Sequence, residues 1–280
     1  MKVQVLGFCR FSLLVSGGFQ VLHETLADRR RALYDPANLA LRFHWFEHVC
    51  LPAWRRQTDP DFTLIVATGE DFPAPWLDRL RALIADIPQI ALHQAAPEKH
   101  RPLCRKILRR YTDESADVVA QFRMDDDDAV AVDFVQRVRQ DFLAKLVPMY
   151  RAEGRIWSDY CRGFTLMTPP EGLTVLPQAA DRMTAALTLY KAPSEHACVM
   201  DYGHHKLNQM MNGVLFQDSF MYIRGKHGKN DSSGGRFRHD GALLEGELNI
   251  PDILRERFAV ELDRFEEKIL QAAAMHQLHG

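Results

Sequence analysis

Four consecutive aspartates, Asp125 to Asp128, constrain this 280-residue chain more than any other stretch. They directly follow a segment in which apolar residues occupy every second position, namely Val118, Ala120, Phe122 and Met124. This alternation predicts a β-strand with one apolar face. Four adjacent carboxylates repel one another and need a counter-charge, which a divalent cation with oxygen ligands would supply. We therefore expect a metal site in which Asp125 and Asp127 point the same way from an extended chain.

A solvated turn or a helix N-cap is the alternative interpretation of the aspartates, because Asp is frequent in both. A helix is predicted to begin soon after Asp133, where apolar residues recur at helical spacing. One cap needs fewer than four acids, and these four directly follow a buried-looking strand. This context favours the metal site.

The composition is that of a globular protein, with 46% hydrophobic and 26% charged residues. The 35 basic and 37 acidic residues give a formal charge of −2, which argues against a generic nucleic-acid binder. Five cysteines without a CxxC pair predict a reducing, cytoplasmic setting. No stretch reaches the ~18 uninterrupted apolar residues of a membrane span, while peripheral contact with a membrane stays open.

Strands and helices alternate over the first half of the chain. This pattern predicts a Rossmann-like α/β/α sandwich with a mainly parallel central sheet. We expect strands at 3–8, 61–68, 90–92 and 118–124, and helices at 39–54, 76–84 and 103–111, with Pro52 kinking or restarting the first helix. We also expect one catalytic domain over 1–235, made of a nucleotide-binding half (1–130) and a less regular acceptor half (131–235).

The second half predicts strands at 155–167 and 220–224, and a strand pair at 185–190 and 197–202. A C-terminal part, 236–280, would carry a loop and one long helix from Pro251 to about His276. The helix has an apolar stripe at helical spacing, made of Leu254, Phe258, Leu262, Phe265 and Ile269. Core packing, a homodimer seam and a membrane-surface face are all open for this stripe.

Several motifs can be tested against the sequence. Gly228-Lys229 lacks the spacing of a P-loop, no GxGxxG follows the first strand, and Ala129 replaces a ligand that an EF-hand loop requires. One competitor survives, because Asp126 to Val130 matches the DxDx(T/V) pattern of haloacid-dehalogenase-like phosphatases, with Asp126 as nucleophile. That motif normally follows a first strand, whereas about 125 residues precede it here.

The stretch from Arg123 to Ala129 resembles the R-L-D-D-D-D-A signature of the rhamnosyltransferase family, whose members are GT-A-like glycosyltransferases with a DxD motif. Three further segments match the family pattern in the same order along the chain. The first is Arg10-Phe11-Ser12. The second contains Arg42, Phe46-Glu47, Leu51-Pro52, Gln57 and Asp61-Phe62, and the third is Met221-Tyr222-Ile223 followed by His227-Gly228 and Asn230. The resemblance covers roughly residues 1–235. It implies transfer of a sugar such as rhamnose from a nucleotide-sugar donor, for which dTDP-rhamnose is the candidate, to a glycan or lipid-linked acceptor.

The resemblance also implies roles for individual residues. Mn²⁺ or Mg²⁺ would bridge the donor diphosphate to the protein, with Asp127 as direct ligand, Asp125 acting through water or on the ribose, and His227 completing the shell. Asp128 would brace the loop. Donor contacts are expected from Arg10, Thr68, Arg105, Arg123, Asp125, Asp126, Lys229 and Asn230.

An inverting transfer needs a base for the acceptor hydroxyl, and Asp201 is the first candidate. Asp159, Glu195 and His204 are its rivals. Two other classes stay open. A nucleotidyltransferase would carry a Gly-rich basic loop after strand one, which 10–18 fits poorly, and a non-catalytic nucleotide- or glycan-binding protein would keep the acids without turnover.

Overall fold

The computed structural model describes residues 1–17, 25–168, 172–182, 185–227 and 248–277. The strands are β1 (Val3–Arg10), β2 (Thr63–Gly69), β3 (Ile90–Ala95), β4 (Val118–Asp125), β5 (Ala129–Val130), β6 (Arg155–Met167), β7 (Thr174–Ala179), β8 (Leu187–Lys191) and β9 (Gly213–Lys226). The helices are α1 (Leu26–Leu33), α2 (Pro36–Trp45), α3 (Leu51–Arg55), α4 (Ala74–Ile84), α5 (His100–Arg110), α6 (Phe134–Asp141), α7 (Val147–Glu153), α8 (Ile250–Phe258) and α9 (Leu262–Gln277).

These strands form a single sheet in the order β3-β2-β1-β4-β8-β6-β9-β5, with β7 beside β6. The first half is parallel, because β1 pairs with β2 and with β4 in the same direction and β2 pairs so with β3. Beyond β4 the sheet is mixed, since β8 runs antiparallel to both β4 and β6 while β9 runs parallel to β6. The predicted α/β fold with a parallel first half is confirmed.

Helices cover both faces of the sheet. On one face α2, α3, α4 and α6 pack against side chains such as Val5 and Phe122. On the other face α5 packs against Phe8, Ile65 and Val119. Parallel strands buried on two sides are apolar on two sides, which is why β1 and β2 read as nearly continuous apolar runs. The predicted three-layer sandwich is therefore present.

The helix predicted at 39–54 is present, but its irregularity lies just before Pro52 and not at it. A π-helical turn, Phe46–Cys50, joins α2 to α3, and Pro52 lies in the first turn of α3. Proline has no amide hydrogen to donate to the preceding turn, so the regular bonding pattern cannot continue through it. Trp54 of α3 is buried in the core.

The strand predicted at 197–202 is wrong, because this segment contains a 3₁₀ turn, Val199–Asp201. Its expected partner β8 already pairs with β4 on one side and β6 on the other, so it has no open edge. The backbone finds other acceptors instead. The amide of Val199 donates to Oε1 of Gln121 at 3.2 Å, and the amide of Cys198 donates to Oδ2 of Asp201 at 2.8 Å.

The single C-terminal helix predicted from Pro251 is also wrong, because two helices, α8 and α9, are present. The chain breaks at Ala259, whose φ of +56° is left-handed. The amide of Val260 bonds back to the carbonyl of Leu254 at 3.1 Å, which closes the end of α8. Within the described stripe Leu254, Phe258 and Phe265 are fully buried, which assigns these residues to the core.

Two findings bear on the cellular setting. All five cysteines are buried free thiols. Among the described residues, every helix is too short or too polar to cross a bilayer. The cytoplasmic setting and the peripheral membrane contact remain predictions.

Candidate active site

The carboxyl ends of β1 and β4 lie at a topological switch point. The chain passes from β1 to β2 on one side of β1, and later places β4 on its other side. Ligands of open α/β sheets bind in the crevice that such a reversal of strand order opens. Arg10 ends β1 and Asp125 ends β4, and their Cα positions are paired in register. The aspartates therefore stand at the edge where the fold favours a ligand.

The aspartates form a tight turn between β4 and β5. The amide of Asp128 reaches the carbonyl of Asp125 at 3.3 Å, and β5 then pairs antiparallel with β9. Gly225 of β9 passes so close that a Cβ there would lie 2.3 Å from the carbonyl oxygen of Asp127. The second half of the chain thus fixes the turn through backbone contacts.

The first two aspartates each pair with an arginine. Oδ1 of Asp125 accepts from Nη2 of Arg10 at 2.8 Å, while 46% of the Asp125 side chain stays exposed. Both carboxylate oxygens of Asp126 lie within hydrogen-bond distance of Nη1 of Arg42, at 2.7 and 2.5 Å. The Asp126 side chain is only 6% exposed. Asp125 can therefore meet a ligand, whereas Asp126 is an internal anchor of the turn.

The last two aspartates face β9 and its continuation. Oδ2 of Asp127 lies 3.3 Å from Nε2 of His227, and both side chains are almost buried. Oδ1 of Asp128 accepts from the amide of Gly225 at 3.2 Å, which is a bracing contact of the kind expected for this residue. Residues about 100 apart in sequence therefore meet at Asp127. This meeting brings one carboxylate oxygen and one imidazole nitrogen to the same place.

Burial and charge act differently on the four carboxyls. Burial raises the pKa of Asp126 to about 6, although Arg42 offsets part of the effect. Burial and the charges of Asp127 and Asp125 raise the pKa of Asp128 well above its ordinary value. Burial also acts upward on the pKa of Asp125, but Arg10, Arg123 and Arg42 together outweigh it, so that the net shift is downward. Of these three carboxyls, Asp125 is therefore the one that ionises most readily.

Basic groups line the crevice beside the turn. Burial and the charge of Arg10 lower the pKa of Arg123 to about 10, so it stays a cation near neutrality. Nη1 of Arg123 donates to the carbonyl of Tyr202 at 3.4 Å. Burial and the charge of Arg10 also lower the pKa of His100 to about 4, and Nε2 of His100 lies 3.5 Å from Nη1 of Arg10. Two guanidinium groups and a neutral imidazole thus surround the exposed face of Asp125.

The remaining predicted donor residues do not all lie at this edge of the sheet. Thr68 ends β2 next to this edge, and its buried hydroxyl has no hydrogen-bond partner among the described residues. Arg105, on α5, points to Asp201 instead, with Nε 2.8 and 2.9 Å from the two carboxylate oxygens. Lys229 and Asn230 lie outside the described residues. Arg10, Arg123 and Asp125 are therefore the predicted contacts that the fold gathers most closely.

Three of the candidate bases are engaged in hydrogen bonds. The Asp201 side chain is 11% exposed and holds Arg105 as well as the amide of Cys198. Asp159 lies inside β6, is fully buried, and accepts from the amide of Arg182. Nδ1 of His204 lies 2.5 Å from the carbonyl of Arg182, and burial with Arg123 lowers its pKa to about 4. Of these three, only Asp201 combines a carboxylate with partial access to solvent. The fourth candidate, Glu195, has a side chain that is 36% exposed, with Oε2 3.7 Å from Nη1 of Arg155.

Some residues at the site had no predicted role. Arg42 belongs to a segment that matched the family pattern, but spacing could not show that it pairs with Asp126 across 84 residues. His100 precedes an amphipathic helix and carries no motif. The ring of Trp45 packs on that of His227, with ring centroids 5.5 Å apart. From sequence, an aromatic residue at helical spacing predicts only a core position.

A family model described as "Putative rhamnosyl transferase" matches residues 4–239. The chain therefore belongs to this rhamnosyl transferase family. The match contains β1, the aspartate turn and His227, so the two halves of the site lie within it. Comparison with curated proteins found no match.

Solved structures show weaker likenesses. S. aureus TarS 1–349 in complex with UDP is 10% identical, with a TM-score of 0.42 over 81% of this chain and 61% of that one. S. aureus TarS 1–349 without UDP gives 10% identity and a TM-score of 0.36, over 80% and 60%. A 4-diphosphocytidyl-2C-methyl-D-erythritol synthase from Anaerococcus prevotii is 8% identical, with a TM-score of 0.29 over 86% and 99%. The chain thus spans about 61% of the TarS chain that it matches.

Proposed function

We propose that this protein is a metal-dependent glycosyltransferase of GT-A type, which moves a sugar from a nucleotide-sugar donor to a glycan or lipid-linked acceptor. The observation that carries the proposal is the pairing of Asp127 with His227, 3.3 Å apart, beside Arg10 and Asp125 at the switch point of the sheet. Family membership supports the same class and names rhamnose as the first sugar to test.

The donor set at Asp127 suits Mg²⁺ or Mn²⁺. No cluster of three or more His, Cys, Asp or Glu side chains that could hold a metal occurs within the described ranges. A complete protein cage is not needed, because Mg²⁺ is usually held by one or two carboxylates together with substrate phosphates and water. Asp127 and His227 would be the protein ligands, and Asp125 would act through water. When bound, the ion supplies Lewis-acid stabilisation of the diphosphate leaving group.

The chain's own cations would bind the donor. Arg10 presents a guanidinium that is held in place by Asp125 and is 22% exposed. Arg123, which is close enough for the charge of Arg10 to lower its pKa, is also cationic. A fixed guanidinium recognises phosphate oxygens in two-pronged fashion, and it loses little conformational freedom on binding. We therefore expect Arg10 to contact the diphosphate directly and Arg123 to add positive charge near it.

For the acceptor proton we propose Asp201. It is joined to Tyr202, whose carbonyl contacts Arg123, so it borders the same crevice. Taking a proton requires that one oxygen exchange its bond to Arg105 for the acceptor hydroxyl. Full burial disfavours Asp159, which an acceptor could not reach without movement of β6.

The phosphatase alternative requires Asp126 to attack a phosphorus atom. A nucleophile must be accessible, whereas Asp126 is 6% exposed and both of its oxygens face Arg42. These contacts favour a structural role for Asp126.

The proposal is tested by incubating the protein and Mn²⁺ with dTDP-rhamnose and a panel of other nucleotide sugars, and measuring the nucleoside diphosphate that is released as the sugar passes to water in place of the acceptor. Release is expected with one donor, and Asp127→Asn should reduce it by about 100-fold or more, since the charge on the leaving group loses its stabilisation. Asp86→Asn, which removes an exposed ion pair with Arg55, is the control. Equal release by Asp127→Asn, or release of inorganic phosphate instead, contradicts the proposal.

A further inference from the structure

A line of aromatic contacts joins the C-terminal helix α9 to the candidate metal ligand His227. The ring of Trp45, the last residue of α2, lies between two others. Its centroid is 4.8 Å from that of Phe265 on α9, in an edge-on contact, and 5.5 Å from that of His227. Trp45 and Phe265 are fully buried.

The His227 side chain lies just beyond β9, where a strand no longer fixes its rotamer. Its Nε2 must point at Asp127 for the pair to bind one ion, and rotation about either side-chain torsion would lose that alignment. The indole of Trp45 packs on the imidazole and limits this rotation. Packing that locks the rotamers of site residues in this way is what holds a binding site in its productive geometry.

Phe265 is itself held firmly against α2. Its ring stacks on that of His44, with centroids 5.0 Å apart and planes 24° from parallel. Its carbonyl oxygen lies 3.2 Å from Nε2 of His44. α9 is therefore fastened to α2 by one stacking contact and one hydrogen bond, in the turn of α2 that carries Trp45.

We propose that Trp45 and Phe265 are positioning residues, which hold the imidazole of His227 against Asp127 for divalent-cation binding. The inference rests on the proposed metal role of this pair. It assigns a part in the site to α9, which begins at Leu262 and so lies beyond the end of the family match at residue 239. The C-terminal helix is then more than a cover for the core.

The test measures Mn²⁺ affinity by the electron paramagnetic resonance signal of free Mn²⁺, with and without UDP or dTDP. Phe265→Ala is compared with Phe258→Ala, because Phe258 is equally buried on α8 but contacts Phe164 rather than Trp45. Phe265→Ala should weaken Mn²⁺ binding about 10-fold or more, the usual effect of losing an outer partner of a metal ligand. Phe258→Ala should leave the affinity unchanged, although both variants lose a similar core contact.

A second pair of variants keeps the test decisive if the first pair does not fold. Should Phe265→Ala not fold, Phe265→Leu and Phe258→Leu keep most of the apolar volume, and Phe265→Leu alone is expected to weaken Mn²⁺ binding, about threefold. Unchanged affinity in the Phe265 variant, or equal loss in both variants, overturns the positioning role while the metal site stands. Absence of Mn²⁺ binding by the unmodified protein overturns the proposed metal site and this inference together.

Discussion

Nη2 of Arg10 lies 2.8 Å from Oδ1 of Asp125, at the ends of two neighbouring parallel strands that are paired in register. The pair is set by backbone geometry, since both residues are the last of their strands. Arg10 is thereby aimed into the crevice at the switch point, and together with Arg123 and Arg42 it brings the pKa of Asp125 below its ordinary value against the effect of burial. This contact thus orients the guanidinium of Arg10 for phosphate binding and helps to keep the carboxyl of Asp125 ionised.

Replacing Arg10 by Ala should weaken binding of the nucleoside diphosphate by about 10-fold or more, because a charge-assisted hydrogen bond contributes about 1.5–3 kcal/mol. Arg10→Lys should recover only part of this loss, because an ammonium cannot bind in two-pronged fashion. Isothermal titration with UDP and dTDP in the presence of Mn²⁺ measures both. Affinity that is equal in the Ala variant and the parent would show that Arg10 does not contact the phosphates.

Replacing Arg42 by Met should destabilise the protein by about 3 kcal/mol, because it leaves the carboxyl of Asp126 buried without its partner. Asp126→Asn in the same chain should restore much of this stability, since the uncompensated charge is then gone. Urea unfolding of the two single variants and the double variant gives the coupling free energy. Additive effects of the two substitutions would contradict the anchoring role given to Asp126.

Replacing Gly225 by Ala should weaken Mn²⁺ binding and destabilise the fold by about 1–3 kcal/mol, because the new Cβ must displace the backbone of Asp127. Gly163→Ala is a matched control, since its Cβ would lie 2.4 Å from the carbonyl oxygen of Tyr222 on the same strand β9. The control should lose stability but keep its Mn²⁺ affinity. Calorimetry of Mn²⁺ binding separates the two, and equal losses of affinity would contradict the account.

Acid should loosen the contact between α2 and α9 through His44. Burial and the charge of His48 lower the pKa of His44 to about 4 from 6.5, and Glu47 and Arg79 are its other charged neighbours. Because the folded pKa is depressed, neutral His44 contributes stability above pH 6.5 that is lost as the pH falls toward 4, up to about 3 kcal/mol. The free energy of unfolding of His44→Gln should therefore vary less over this range. Parallel curves for parent and variant would refute it.

The parallel half of the fold was predictable from sequence, because its strands are apolar runs and its helices show clear periodicity. The aspartate turn was placed correctly for the same reason, as the alternation from Val118 to Met124 defines where β4 ends. The segment at 197–202 was misread because strand pairing depends on which edges are free. Local apolarity carries no information about the neighbours of β8.

Sequence spacing could not predict which residues of the site pair with each other. Arg42 and Asp126 are 84 residues apart, and any of several arginines could have served as the counter-charge. The break at Ala259 was hidden because the apolar stripe continues from Phe258 to Leu262 across it. The contacts of Trp45 with His227 and Phe265 join residues about 180 and 220 apart in sequence, so only the folded structure reveals them.

The most direct test of the central claim is thermal unfolding of the protein with UDP or dTDP, each with and without Mn²⁺, in the parent and in Asp127→Asn. A ligand at about 100 times its dissociation constant adds about 2.7 kcal/mol of stability, which is a clearly measurable rise in Tm. We expect a rise with one nucleotide that requires Mn²⁺ and disappears in Asp127→Asn. A rise that is independent of Mn²⁺, or that persists in Asp127→Asn, would contradict the proposed metal site.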